Sequence, residues 1–381
     1  MQINIEQETL AKAIGQVLGV VDKRGTMPIL SHCLLQTDGN GVFISATDLE
    51  ISFRGFVPAE VKEPGAITVR ADYFNKVVAD LPKGLLALVG TENAAMHIQT
   101  GESQYKLYGL PAKQFPEISG ATGENLVALE GCLLRDMVIK TIFSAAGGNQ
   151  ELPGLKGVFW EKVEIEEKSW LRLLSTDGHR LTLVERLLPD YTEMDLGKGI
   201  MVPYKGMREI YRFLNGQEKV TLGLGEKTLA LQAGDKHLSV RLLDSKFPDY
   251  RRIIPEGHAY RFAVKRVELA DTLNRMVQLS SDRIKGMVFN LTADFVEVTF
   301  SDPEVGEGQE LLPVILEVGD ASQLPLKVGF NAKYLIEPLQ VMPGDTVFLE
   351  INEPDRPCRL MQQEDPHYFS LIMPMSNLTI P

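Results

Sequence analysis

The sequence predicts an α+β protein made of three tandem copies of one domain, each with two helices and about eight short antiparallel strands. Three observations carry this reading. A strand-like segment running into an amphipathic helix occurs three times. The same landmark residues follow each time in the same order. Short segments of alternating polarity fill the intervals, many bounded by glycine, aspartate or asparagine as hairpin turns are.

The opening helices are legible from apolar spacing. Leu10, Ile14, Val17, Leu18 and Val21 share one face and predict a helix over 7–21. Leu134, Met137, Val138 and Thr141 follow a strand at 126–129 and predict a helix over 133–144. Leu269, Leu273, Met276 and Val277 follow a strand at 260–264 and predict a helix over 265–278. Alternating segments such as 42–46 and 220–224 read as strands, and Asp38-Gly39-Asn40-Gly41 as the clearest hairpin turn. Ala46-Thr47-Asp48-Leu49-Glu50 recurs as Ser175-Thr176-Asp177-Gly178-His179 and more faintly as Phe300-Ser301-Asp302.

A second junction of strand into helix appears as Val69-Arg70-Ala71-Asp72-Tyr73-Phe74, Val202-Pro203-Tyr204-Lys205-Gly206-Met207 and Phe330-Asn331-Ala332-Lys333-Tyr334-Leu335. It predicts helices over 72–80, 204–214 and 331–340. The first two copies close on Lys113-Gln114-Phe115-Pro116-Glu117 and Lys246-Phe247-Pro248-Asp249-Tyr250. Copies lie roughly 125–133 residues apart, whereas a solenoid repeats every ~20–50 residues. With linkers at 119–125 and 255–258, the expected domains are 1–119, 126–254 and 259–375, followed by a tail at 376–381.

Composition narrows the function. Hydrophobic residues make up 44% of the 381, which is ordinary for domains with real cores. No apolar run approaches the ~18 residues of a membrane helix, and the amino terminus lacks the basic and apolar regions of a signal peptide. A cytoplasmic protein without a membrane partner is expected. Cys33, Cys132 and Cys358 form no CxxC pair, which excludes a clustered disulfide or zinc scaffold and predicts buried, inert thiols. No HExxH pair, acidic metal loop or GxxxxGK[ST] phosphate loop occurs, so neither a metal nor a cofactor is expected.

The net charge of -12 is the wrong sign for a protein that grips DNA by neutralising many phosphates. The six predicted helices, however, pool eleven basic and eight acidic residues, +3, leaving -15 for the rest of the chain. That segregation suits a helical surface that tolerates a duplex, without reading its sequence, on a body that repels it.

An enzyme centred on Asp177 and His179 is the main alternative. Asp and His two residues apart could exchange protons, and Gly178 could bring backbone close to a phosphate. The glycine, though, predicts a turn that separates the two side chains, and no serine or cysteine nucleophile sits in a recognisable elbow. A scaffold or adaptor protein that does not bind DNA is the other alternative. It would bind its partners through a peptide pocket and need no basic helices.

Thr26-Met27-Pro28-Ile29-Leu30, Thr47-Asp48-Leu49-Glu50, Thr176-Asp177-Gly178-His179-Arg180-Leu181, Phe247-Pro248-Asp249-Tyr250-Arg251-Arg252, Phe330-Asn331-Ala332-Lys333-Tyr334 and Met373-Pro374-Met375 stand in order along the chain. In these motifs the sequence resembles the beta subunit of bacterial DNA polymerase III, the sliding-clamp family, from about residue 1 to 375. The resemblance implies a non-catalytic processivity factor: a head-to-tail homodimer closed into a ring, with helices lining the hole and sheets outside. Such a ring holds duplex DNA topologically, independent of sequence. Polymerase III subunits, the clamp loader and other proteins carrying a clamp-binding motif would be its partners.

Partners in the family insert a peptide between the second and third domains. Position by position, this implies a pocket of Leu155, Thr176, Gly178, His179, Arg180, Leu181, Pro248, Arg252, Ile253, Asn331, Tyr334, Met373, Pro374 and Met375. The apolar members would form a floor, and Arg180, Arg252, His179 and Asn331 would supply orienting hydrogen bonds. Arg24, Tyr204 and Lys205 match positions facing DNA, and Tyr105, Gln278 and Leu279 match the dimer interface. Gln278 stands where an apolar residue is frequent. The loop 147–154 lacks the His and Tyr residues that approach DNA in the family, and the chain continues past Met375 where typical members stop.

Overall fold

The computed structural model describes residues 1–23, 25–118, 124–146, 153–189, 195–280 and 286–375. Arg24, most of the 147–154 loop and the 376–381 tail lie outside the described residues. The first copy runs β1 (Gln2–Glu6), α1 (Gln7–Val17), β2 (His32–Asp38), β3 (Gly41–Thr47), β4 (Ile51–Pro58), β5 (Glu60–Glu63), β6 (Ala66–Arg70), α2 (Ala71–Asp80), β7 (Leu85–Gly90), β8 (Ala95–Thr100) and β9 (Ser103–Tyr108). The second runs β10 (Glu124–Glu130), α3 (Gly131–Ile142), β11 (Gly157–Ile165), β12 (Lys168–Thr176), β13 (Arg180–Leu187), β14 (Ile200–Pro203), α4 (Tyr204–Phe213), β15 (Lys219–Leu224), β16 (Thr228–Ala233) and β17 (Lys236–Arg241).

The third runs β18 (Tyr260–Lys265), α5 (Arg266–Val277), β19 (Gly286–Leu291), β20 (Phe295–Asp302), β21 (Gly306–Val318), β22 (Leu326–Asn331), α6 (Ala332–Val341), β23 (Thr346–Ile351), β24 (Cys358–Met361) and β25 (Tyr368–Ile372). Among the described residues each copy therefore holds two helices and eight or nine strands, in one shared order. Helix α1 stops four residues short of the predicted end. There the Val20 amide bonds the Val17 carbonyl, three residues back, at 3.1 Å and shares that acceptor with the Val21 amide at 3.2 Å, so the last turn tightens.

The strands form three antiparallel sheets ordered β5-β1-β7-β8-β9, β10-β15-β16-β17-β4-β3-β2-β6 and β14-β11-β12-β13-β25-β24-β23-β18-β21-β20-β19-β22. Two of these sheets run across repeat boundaries. Strand β17 of the second copy pairs with β4 of the first, Leu238 opposite Phe53. Strand β25 of the third pairs with β13 of the second, Ser370 opposite Thr182. Contacts accordingly divide the chain into two compact units, Met1–Arg135 with Tyr191–Asp195 and Lys205–Leu243, and Asp136–Asp190 with Leu196–Tyr204 and Asp244–Pro381.

Within the first unit α1 packs on α2, and within the second α5 packs on α6. The apolar faces read from the sequence are the buried ones: Leu10, Ile14 and Val17 on α1, and Leu269, Leu273 and Met276 on α5. Cys33 and Cys358 are buried as expected, and burial raises the Cys33 thiol to about 12. Cys132 departs from the expectation: it is exposed on α3, because it precedes the buried stripe that starts at Leu134.

One buried ionic network secures α3. Lys140 Nζ donates to Asp136 at 2.9 Å and to Asp365 at 2.7 Å, and Arg186 donates to the same two carboxylates at 2.7 and 2.6 Å. Burial alone would raise the Asp365 carboxyl, but the bonds and charges of Arg186 and Lys140 outweigh it and hold it below its ordinary value. Because the folded value is depressed, this contribution to stability is present above pH ~4 and is lost as pH falls through the lower folded value. Asp365→Asn is expected to cost about 3 kcal/mol at neutral pH. In thermal melts the gap between wild type and variant should close as pH is lowered below about 4.

Candidate functional site

The landmark Thr176-Asp177-Gly178-His179 forms the tight turn between β12 and β13, and its polar side chains are spent on that turn. Thr176 Oγ1 accepts from the Gly178 amide at 3.1 Å and donates to the Arg180 carbonyl at 2.5 Å. Asp177 Oδ1 accepts from the amides of His179 and Arg180 at 3.0 and 3.1 Å. Gly178 sits at φ +89°, in the left-handed region that favours glycine. With its carboxylate engaged in this way, Asp177 is a turn-former, and the proton exchange with His179 considered from sequence has no geometric support.

Arg180 is the centre of the site. It is 7% exposed, far from the solvent-facing donor that its position in the motif suggests. Its Nε donates to Asp177 Oδ2 at 3.1 Å, one terminal nitrogen donates to the Phe143 carbonyl just beyond α3 at 2.6 Å, and the other pairs with Glu337 of α6. The guanidinium lies 4.5 Å from the centre of the Tyr334 ring. On the outer side the His179 ring stacks on Tyr334, centroids 6.2 Å apart and planes 15° from parallel. Burial, with Asp177 close by, pushes the Tyr334 hydroxyl above its ordinary value, against the pull of Arg180.

The carboxy-terminal segment completes this surface. The Met373 amide donates to the His179 carbonyl and the Met375 amide to the Gly329 carbonyl of β22, both at 2.9 Å. Met373 and Met375 keep 38% and 39% of their surface exposed, flanking a half-buried Pro374. Below the turn, Leu181 joins Leu174, Leu183, Tyr250 and Leu371 in a core cluster covered by Phe247 and Ile254. That covering segment carries Pro248, Arg252 and Ile253 outward, with Ile253 44% exposed and Arg252 paired to Asp249 at 3.1 Å. Leu155 is buried at the end of a short turn, and the adjacent Gly154 lies against the Lys246 carbonyl so closely that a Cβ would come within 2.6 Å of it. Asn331 caps α6, accepting from the Lys333 amide at 3.1 Å.

His179, Arg180, Tyr334 and Met373 are thus brought into direct contact, with Asn331, Met375, Pro248, Arg252 and Ile253 on neighbouring segments of the same compact unit. Sequence reasoning did not single out Glu337 or the Phe143 carbonyl. Glu337 was within reach, three residues after Tyr334 on one helix face. A carbonyl carries no residue-type signal at all.

The residues expected to face DNA are placed less uniformly. Arg24 lies outside the described residues. Tyr204 opens α4 with 36% exposure. Lys205 is half-exposed, yet its ammonium is anchored to the Asp48 carboxylate and, at 3.4 Å, to the Val20 carbonyl. The observed helix bounds carry ten basic and eight acidic residues, and Lys140 and Glu209 among them are buried. Of the interface residues, Tyr105 is 43% exposed on the outermost strand of its sheet, Gln278 is exposed, and Leu279 packs beneath Gly308 of β21.

Three copies of one two-helix domain, fused through shared sheets, define the clamp class of scaffold. The chain belongs to the DNA polymerase III beta subunit family. Family models for its N-terminal, central and C-terminal domains match residues 1–119, 128–249 and 251–376. The chain is 31% identical to the beta sliding clamp of Vibrio cholerae over 379 residues, covering 98% of this chain and 100% of that one. The Caulobacter crescentus polymerase III beta structure superposes with a TM-score of 0.86 at 29% identity, covering 98% of this chain and 100% of that one. The sliding clamp of Bartonella birtlesii bound to griselimycin superposes at 0.90 with 26% identity, covering 98% and 99%. The protein is a DNA sliding clamp, a non-catalytic processivity factor, and the enzyme reading falls with that identification.

Nothing lies within 4 Å of the position a Cβ would take on Gly178, so a substitution there meets backbone strain alone. Gly178→Ala is expected to cost about 1 kcal/mol of stability, read by chemical denaturation, with faster amide exchange over 176–181.

Proposed function

We propose that this protein works in the cytoplasm as a ring-shaped homodimer that encircles duplex DNA. It tethers polymerase III subunits and other clamp-binding proteins through the surface built on His179, Arg180, Tyr334, Met373 and Met375, with domains at 1–119, 126–254 and 259–375. The observation that carries the ring is the edge rule of the sheets. The last strand of the second copy seals β4 of the first, and the last strand of the third seals β13 of the second. Among the described residues two equivalent edges are left without a strand partner, β9 of the first copy and the 306–313 stretch of β21 in the third. A second molecule placed head to tail satisfies both edges of each chain, and the assembly closes.

The internal repeats support one register for that contact. Ala46 faces Phe53, which faces Leu238, and Ser175 faces Thr182, which faces Ser370. In the third copy Phe300 faces Gly308, and the residue of the partner molecule equivalent to Leu238, two beyond the start of its strand, is Tyr105. Tyr105 then lies beside Gly308, above Leu279 and Met276, whose atoms come within 3.0 and 2.8 Å of a Cβ built on that glycine. Lys106 comes to lie opposite Glu307, an attractive cross-strand pair.

Retention on nicked circular DNA after loading by a clamp loader and ATP tests the function. Protein that stays on circles at moderate salt and leaves once they are linearised is held topologically; equal loss from both forms would refute the ring. Lys106→Glu and Glu307→Lys should each lower the dimer fraction in analytical ultracentrifugation, and the double exchange should restore it. An unchanged dimer fraction in both single variants would refute the register.

A further inference from the structure

We propose that Arg180 is a positioning residue of the pocket, one that couples peptide binding to the helices behind it. This deepens, and rests on, the pocket reading above. A buried guanidinium offers five N–H donors. Here the donors hold three separate elements: the β12–β13 turn through Asp177, the end of α3 through the Phe143 carbonyl, and α6 through Glu337. The cation also stacks on Tyr334, so one side chain fixes both the ring that His179 stacks on and the helix that carries that ring.

Helix α6 has a particular need for such a fixture. Pro338 lies inside it and has no N–H to offer the carbonyl of Tyr334, four residues back. The helix is therefore missing a rung at the residue that presents the aromatic platform. The Arg180–Glu337 pair clamps the helix one residue before that proline.

The equivalent junction between the first and second copies shows what is special here. There Lys205 of α4 bridges the landmark carboxylate, Asp48, and a carbonyl just beyond α1, that of Val20. At the later junction the cation comes from the hairpin itself, and the position equivalent to Gly206 is Tyr334. Both junctions place a positive charge at the carbonyl end of the first helix, where the helix dipole favours it. Only the Arg180 version adds an aromatic ring to the same charge. Filling the pocket against His179 and Tyr334 is then sensed at α6 and at the end of α3, and loosening Glu337 weakens binding without removing a residue that touches the ligand.

The test uses griselimycin as the probe and the full-length protein. Glu337→Gln is expected to weaken griselimycin binding on the order of tenfold in calorimetry, within the usual range for coupled sites. Arg180→Lys should recover only part of the loss seen in Arg180→Gln, because an ammonium cannot serve three directions and a ring at once. In wild type, griselimycin should slow amide exchange in 332–341, and in Glu337→Gln that protection should fall at saturating ligand. Unchanged affinity and unchanged protection in Glu337→Gln would overturn the coupling, provided Met373→Ala weakens binding to wild-type protein. Failure of griselimycin to bind wild type, or indifference to Met373→Ala, would instead sink the pocket reading itself.

Discussion

Backbone hydrogen bonding at sheet edges is the constraint on which the rest of this structure depends. A strand left open offers a row of unpaired amides and carbonyls, and native proteins cover such rows or pair them. Here the pairing reaches across repeat boundaries, so that β17 belongs by sequence to the second copy and by hydrogen bonding to the first. The eight-stranded and twelve-stranded sheets follow from this, as does the division into two units that cut the second copy between them.

Much of this was legible in the sequence, and the parts that were not share a cause. Helix faces and strand alternation depend on neighbours a few residues apart, so Leu10, Ile14 and Val17, or Leu269, Leu273 and Met276, could be assigned to the interior without knowledge of the fold. The repeat order was likewise visible in short landmarks. Cross-repeat pairing was not, because nothing in β17 names β4 as its partner. Charge counting was blind for a related reason. Lys140 entered the tally as a surface cation, yet its ammonium is enclosed by Asp136 and Asp365, the latter 225 positions along the chain.

The candidate site shows the same boundary between local and distant information. The motif around Asp177 specified a turn, and it is a turn. Arg180 was expected to point at a ligand, but the Phe143 carbonyl and Glu337 draw it inward. Burying a guanidinium is unfavourable unless its donors are matched, and here two carboxylates and a carbonyl match them. The exposed chemistry passes to His179, Tyr334 and the two methionines, side chains that present flat or adaptable apolar surface.

Shared sheets also limit how freely such a molecule can be recombined. A repeat exchanged between relatives would bring its last strand into contact with a foreign edge, and a slip of one residue would turn every side chain of that strand to the opposite face. The hairpin Ala233-Gly234-Asp235-Lys236 sets where β17 begins and hence which face receives Leu238 and Val240. Its length is therefore inherited jointly with β4, about 180 residues away in sequence. In this family of scaffolds the heritable module is the seam between repeats.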